Sequence, residues 1–110
     1  MVKGFPLDIC NLMGYINFMI RSFKHNGLEE YFYSGSKKGI QPAHAKKLGR
    51  ILDRLATSKK PTDMNLPGYG FHGLQGELDG YYAVGVSGNW RIIFTFDGEN
   101  AVDVNYIDYH

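Results

Sequence analysis

The spacing of apolar side chains changes character along the chain, and each change marks a different element. Residues 19–25 (MIRSFKH) have the composition of a short strand. GLEEYFYSG then sets Leu28, Tyr31 and Phe32 at helical spacing, with Gly35 as the stop. The stronger helix follows in QPAHAKKLGRILDRLATS: Pro42 suits a first turn, and Ala45, Leu48, Ile51, Leu52 and Leu55 form one apolar stripe. KKPTDMNLPG is a loop by its proline, asparagine and glycine content. Beyond it YGFHGL, GYYAVGV, WRIIFTF and NAVDVNYI read as strands divided by QGELD, SGN and DGE, three hairpin-like connections that imply an antiparallel meander. The pattern as a whole predicts an α+β domain of order β-α-α-β-β-β-β, with the helices packed on one sheet face.

Turn lengths set a register for that meander. A last turn about Asp97 and Gly98 sets Arg91 opposite Asn105, with Asp108, Tyr109 and His110 just past it. A turn about Ser87 and Gly88 sets Ile93 opposite Ala83, and the QGELD turn sets His72 opposite Ala83 as well. Opposed residues share a face, so His72, Arg91 and Ile93 fall on one side and Trp90, Ile92, Phe94 and Phe96 on the other. With strands about 4.8 Å apart, His72 and Arg91 come within roughly 10 Å, a span that accommodates one nucleotide.

Composition narrows the class. The chain has 110 residues, 44% of them apolar, enough for one domain and no more. Residues 1–18 carry Lys3, Gly4, Pro6 and Asp8 among their apolar positions and have no cleavage-site pattern, so they read as no signal or membrane span. We expect an extension upstream of a native start at Met19, or an arm that packs on a partner, with the domain itself at 19–110. One cysteine, Cys10, forms no intramolecular disulfide and no zinc ligand pair, which suits a reducing cytosol and a cytoplasmic protein. The chain has no GxGxxG, phosphate-binding loop or HExxH, so no cofactor or metal is expected.

The net charge of +1 conceals a division. Residues 19–60 hold ten basic side chains against three acidic, whereas residues 61–110 hold one basic side chain, Arg91, against seven acidic. Such polarity fits a face that follows a phosphate backbone, or equally two solvated surfaces that attract each other. On the longer helix, Lys46, Lys47, Arg50 and Arg54 lie opposite the apolar stripe. They form either a solvated face or an RNA-binding one.

A ribonuclease that works without a metal needs a base for the 2′-hydroxyl, an acid for the leaving 5′-oxygen and a cation for the charged phosphorane. His72 and His110 are of the type for the proton transfers and Arg91 for the cation, with Asp108 able to orient an imidazole and Tyr109 to stack on a base. Each also has a plainer reading. His72 is then a surface strand residue, Arg91 an ion-pair partner of Asp103 or Asp108, and the closing Asp-Tyr-His a frayed end. His25, at a strand exit, and His44, on an exposed helix turn, read as structural or solvent-facing.

The segments MIRSFKHNGLEEYF, GIQPAHAKKLGRIL, TDMNLPG, FHGLQG, NWRIIFTF and DVNYIDYH resemble, in that order and spacing over residues 19–110, the HigB toxins of the RelE-like superfamily, the plasmid-maintenance killer proteins. The resemblance implies a RelE-like fold. It implies the toxin of a type II toxin–antitoxin system that cuts mRNA in the ribosomal A site without a metal, through a 2′,3′-cyclic phosphate. It further implies a HigA-type helix-turn-helix antitoxin and contact with operator DNA only through that complex. Carried onto this chain, the family's motif assigns the catalytic positions to His72, Arg91, Asp108, Tyr109 and His110, and rests Lys46, Lys47, Arg50 and Arg54 on ribosomal RNA. One stretch departs. Where the family reads His-Pro-Leu-Lys-Gly and then a basic residue, this chain has His72-Gly73-Leu74-Gln75-Gly76 followed by Glu77, Leu78 and Asp79. The loss of a lysine and the added acids raise an alternative, a non-cleaving module that binds the antitoxin and modulates transcription of its operon. A free-standing ribonuclease acting on naked RNA is a third reading.

Overall fold

The computed structural model describes residues 20–109. The readings of residues 1–18, Met19 and His110 lie outside them. Helix α1 spans Asn26–Ser34 and helix α2 spans Ala45–Thr57, entered through a 3-10 turn at Pro42–His44. Four strands follow: β1 (His72–Gly73), β2 (Tyr82–Ser87), β3 (Trp90–Asp97) and β4 (Asn100–Asp108). They form one antiparallel sheet in sequence order, as three successive hairpins dictate.

The helices end where the sequence says they should. Gly35 takes a left-handed backbone (φ 82°), and its N–H donates to the Tyr31 carbonyl to close α1. At the other end His25 serves as N-cap, its Nδ1 accepting from Leu28 N–H at 3.0 Å. The predicted stripe of α2 is buried to the last residue, with Ala45, Leu48, Ile51, Leu52 and Leu55 joined by Ala56. It packs with Val84, Ile92, Phe94, Val104 and Tyr106 of the sheet into the main core. At roughly 1.5–3 kcal/mol for each large apolar side chain removed from water, this stripe is what holds α2 to the sheet. On the opposite sheet face Ala83 and Ile93 are covered by Leu74, with Leu78, Tyr81 and Ile107 packed alongside.

The described part of the predicted first strand, residues 20–25, is less regular than its composition suggests. Ile20 and Phe23 make two isolated parallel bridges to Ala101 and Val104, so the segment flanks β4 without becoming a full strand. The cause is a bulge in β4. Asp103 adopts φ 56°, and between the Ile93–Asn105 and Thr95–Val102 pairs β4 carries one residue more than β3. At that point Asp103 N–H donates to the Ser22 hydroxyl at 2.8 Å, a side chain taking the place of a ladder carbonyl. The predicted YGFHGL strand is also cut short to His72–Gly73, because Gly70 sits at φ 61° just before it.

Register follows the predicted one in two hairpins and departs in the third. Ala83 is paired with both His72 and Ile93, as the turn lengths predict. The β2–β3 loop itself is Gly88–Asn89, closed by the Ser87–Trp90 pair, and a bulge between Gly85 and Ser87 restores the alignment. In the last hairpin Asp97 pairs with Asn100, and with the bulge at Asp103 this sets Arg91 opposite Ile107 rather than Asn105. The difference is two residues, so Arg91 keeps the face predicted for it.

Candidate active site

A cleft of about 240 Å³ opens between the start of α2, the loop before β1 and the β2–β3 hairpin. His72, Arg91 and Lys47 all line it. Glycine makes the space, since Gly68, Gly70, Gly85 and Gly88 border the cleft with no side chain to fill it.

The His72 side chain is exposed, and its Nδ1 lies 2.9 Å from the Gly70 carbonyl. A carbonyl only accepts, so Nδ1 carries a proton, and in the neutral ring Nε2 presents the lone pair that a general base requires. Arg91 is half-buried. Its Nη1 donates to the carbonyls of Gly88 at 2.7 Å and Trp90 at 3.0 Å, which fixes the plane of the guanidinium through the main chain of its own hairpin. Asp103 has other partners: one carboxylate oxygen accepts from the Tyr81 hydroxyl at 2.8 Å and the other from Ser22 at 3.4 Å. That carboxylate in turn raises the Tyr81 pKa above its ordinary value.

The end of β4 runs beside the same hairpin. Asp108 pairs with Trp90 in the ladder, and Tyr109 N–H donates to the Asn89 carbonyl at 2.8 Å, adjacent to the cleft-lining Gly88. Tyr109 is exposed. Behind this edge Trp90 packs on Tyr106 at 4.6 Å between ring centroids and on His44 at 5.6 Å. His44 Nδ1 is 2.7 Å from the Tyr106 hydroxyl. His44 is thus a half-buried structural histidine, more enclosed than a residue on an exposed helix turn.

The four cations of α2 divide. Lys47 borders the cleft, its Nζ 5.2 Å from the centroid of the Tyr69 ring. Arg54 donates from Nε to the Asp63 carbonyl at 3.1 Å, while Lys46 and Arg50 are exposed on the outer face. Asp63 stabilises the 3-10 turn at Pro61–Met64 by accepting the N–H groups of Lys59 and Lys60, and those bonds lower its pKa.

Sequence comparison adds to this geometry. A family model described as the RelE-like toxin of type II toxin–antitoxin system HigB matches residues 21–110. The chain belongs to the HigB-like toxin family. A relative from Proteus vulgaris named "Endoribonuclease HigB" is 36% identical over 92 residues, which cover 84% of this chain and the whole of that protein. In this HigB-like toxin the two helices packed against a four-stranded antiparallel sheet are consistent with the RelE-like fold, the expected leading strand being reduced to two bridges. Sequence reasoning missed Tyr69 and Gly85 as cleft residues and left Lys47 on the outer stripe. The available signal was the pair of glycines, Gly68 and Gly70, that bracket Tyr69 in the loop just before His72.

Proposed function

We propose that this HigB-like toxin is an endoribonuclease that cuts mRNA in the ribosomal A site, without a metal. The observation that supports this best is that His72, with Nε2 free to accept a proton, and Arg91, held by two carbonyls, border one cleft. In the proposed reaction Nε2 of His72 takes the proton of the 2′-hydroxyl as the 2′-oxygen bonds to phosphorus. Arg91 stabilises the charge on the non-bridging oxygens, and the bond from phosphorus to the 5′-oxygen breaks. A second proton goes to that leaving oxygen. We assign it to His110 by side-chain type, with Asp108 orienting an imidazole and Tyr109 stacking on a base. The products are a 2′,3′-cyclic phosphate and a 5′-hydroxyl. Lys46 and Arg50 of the outer face contact ribosomal RNA, and the partner that silences the toxin is a HigA-type antitoxin, through which alone it meets operator DNA.

The reading places the toxin in the cytoplasm. No helix among the described residues is long and apolar enough to cross a membrane. Induced expression should arrest growth and leave transcripts cut at ribosome-bound positions. Purified toxin should cleave mRNA on programmed ribosomes, and should do so equally well after chelation of divalent ions from the toxin. Intact transcripts combined with tight antitoxin binding would instead assign the chain to the non-cleaving module that Gln75, Glu77 and Asp79 suggest.

A further inference from the structure

Resting on the reading above, we propose that Lys47 is a second cation of the cleft, touching the scissile phosphate opposite Arg91, and does not belong to the stripe that meets ribosomal RNA. Among the described residues that line the cleft, Lys47 and Arg91 are the two with cationic side chains. They come from different elements, α2 and β3, and so approach a bound phosphate from different directions. The charge of a phosphorane is spread over two non-bridging oxygens. Arg91 has one of its terminal nitrogens committed to the carbonyls of Gly88 and Trp90, leaving only part of its fork for substrate. A second cation completes the clamp.

Lys47 is held in a way that suits this task. Its Nζ donates to the Gly68 carbonyl at 3.5 Å, a long bond, and stands 5.2 Å above the Tyr69 ring. Both holds are soft. They orient the ammonium without satisfying it, and a phosphate oxygen offers a shorter, charge-assisted bond. Tyr69 is itself fixed: its N–H donates to the Leu66 carbonyl at 3.0 Å, and its carbonyl accepts Gly85 N–H at 2.7 Å. The main chain of Tyr69 is therefore tied to β2, its ring packs against the main core, and Tyr69 acts as a positioning residue for Lys47. The neighbouring cations differ, since Lys46 and Arg50 are exposed on the outer face and Arg54 is turned to the Asp63 carbonyl. The mRNA strand and the ribosomal RNA thus meet different sides of one helix.

The test separates a role in the chemical step from a role in docking. At saturating toxin on programmed ribosomes, in single turnover, Lys47→Gln should slow cleavage about 10- to 100-fold while ribosome affinity stays within about twofold. Lys47→Arg should recover most of the rate, and Tyr69→Leu should lose part of it. Lys46→Gln should show the reverse pattern, weaker affinity with an unchanged saturated rate. A saturated rate for Lys47→Gln equal to that of wild type, or a loss confined to affinity, overturns the proposal. Thermal unfolding of each variant checks that the fold is intact. If wild-type toxin cuts nothing on ribosomes, the nuclease reading fails by itself. Lys47 is then judged by titrating a 2′-deoxy oligonucleotide while following the His72 ring by NMR. Binding about tenfold weaker in Lys47→Gln upholds the cleft role, and equal binding removes it.

Discussion

One main-chain carbonyl divides the two nitrogens of His72 between different tasks. Because Nδ1 keeps its proton and donates it in a hydrogen bond to the Gly70 carbonyl, only Nε2 is left to accept one, so His72→Ala should lower cleavage by about 10²- to 10⁴-fold in a reconstituted ribosome assay. Retention of more than a tenth of the activity would remove His72 from the reaction. The glycines around it make separate predictions. A Cβ at Gly85 meets the Tyr69 carbonyl oxygen at 3.7 Å and Arg91 Nη1 at 3.9 Å, ordinary contacts. Gly85→Ala should therefore fold and cut, whereas Gly85→Leu should fold, with an unchanged circular dichroism spectrum, and lose cleavage because its side chain fills the cleft. Gly27 is the opposite case. Alanine in place of glycine in a helix ordinarily adds up to about 1 kcal/mol of stability, yet a Cβ here would sit 2.5 Å from the Gly39 carbonyl oxygen, main chain that has no rotamer to move. Gly27→Ala should cost about 1–3 kcal/mol in urea unfolding. A gain in stability would show that the two backbone segments separate freely.

Helix α1 depends on an unusual cap. His25 accepts from Leu28 N–H through Nδ1, which it does only while that nitrogen is unprotonated, and burial lowers the His25 pKa below its ordinary value. The sign follows from the lowered folded value. The cap's contribution is complete above about pH 6.5, the reference value for histidine, and is lost as pH falls from there through the lower folded value. Protection of the Leu28 amide, taken relative to its intrinsic exchange rate at each pH, should fall as pH drops through that window in wild type, and His25→Asn, whose cap does not titrate there, should show no such change. At this scale the sequence was most legible where one periodic signal extends over many residues. The stripe of α2 is five apolar side chains repeating one choice, and Gly35 takes the left-handed conformation of a helix stop without steric cost. It was least legible where two short-range effects compensate. The β2–β3 loop is Gly88–Asn89, not a turn about Ser87 and Gly88, yet the surplus residue between Gly85 and Ser87 brings Ala83 opposite Ile93 regardless. In β4 the shifted turn and the left-handed Asp103 combine to move the partner of Arg91 by two residues. The site shows the same limit. His72 and Arg91 could be paired from turn lengths, whereas Lys47 and Tyr69 meet through the packing of a helix against a loop, for which no local spacing gives a sign.

Across the molecule, charge is segregated along the chain, with ten basic side chains against three acidic in residues 19–60 and one against seven in residues 61–110. Association with a ribosome through the basic part should weaken steeply with salt. The slope of log affinity against log salt concentration should fall in magnitude by about one for each contributing cation removed, Lys46→Gln and Arg50→Gln among them. A slope unchanged in the double variant would show that these two side chains touch no phosphate. The Arg91 anchor carries a different lesson. Two main-chain carbonyls, those of Gly88 and Trp90, hold the guanidinium, so side chains in the connecting turn, apart from Gly88 with its φ of 55°, can drift over generations without disturbing it. The length of that turn cannot, for adding or removing one residue there withdraws the acceptors themselves. Natural variation in this hairpin should accordingly run to substitution and avoid insertion.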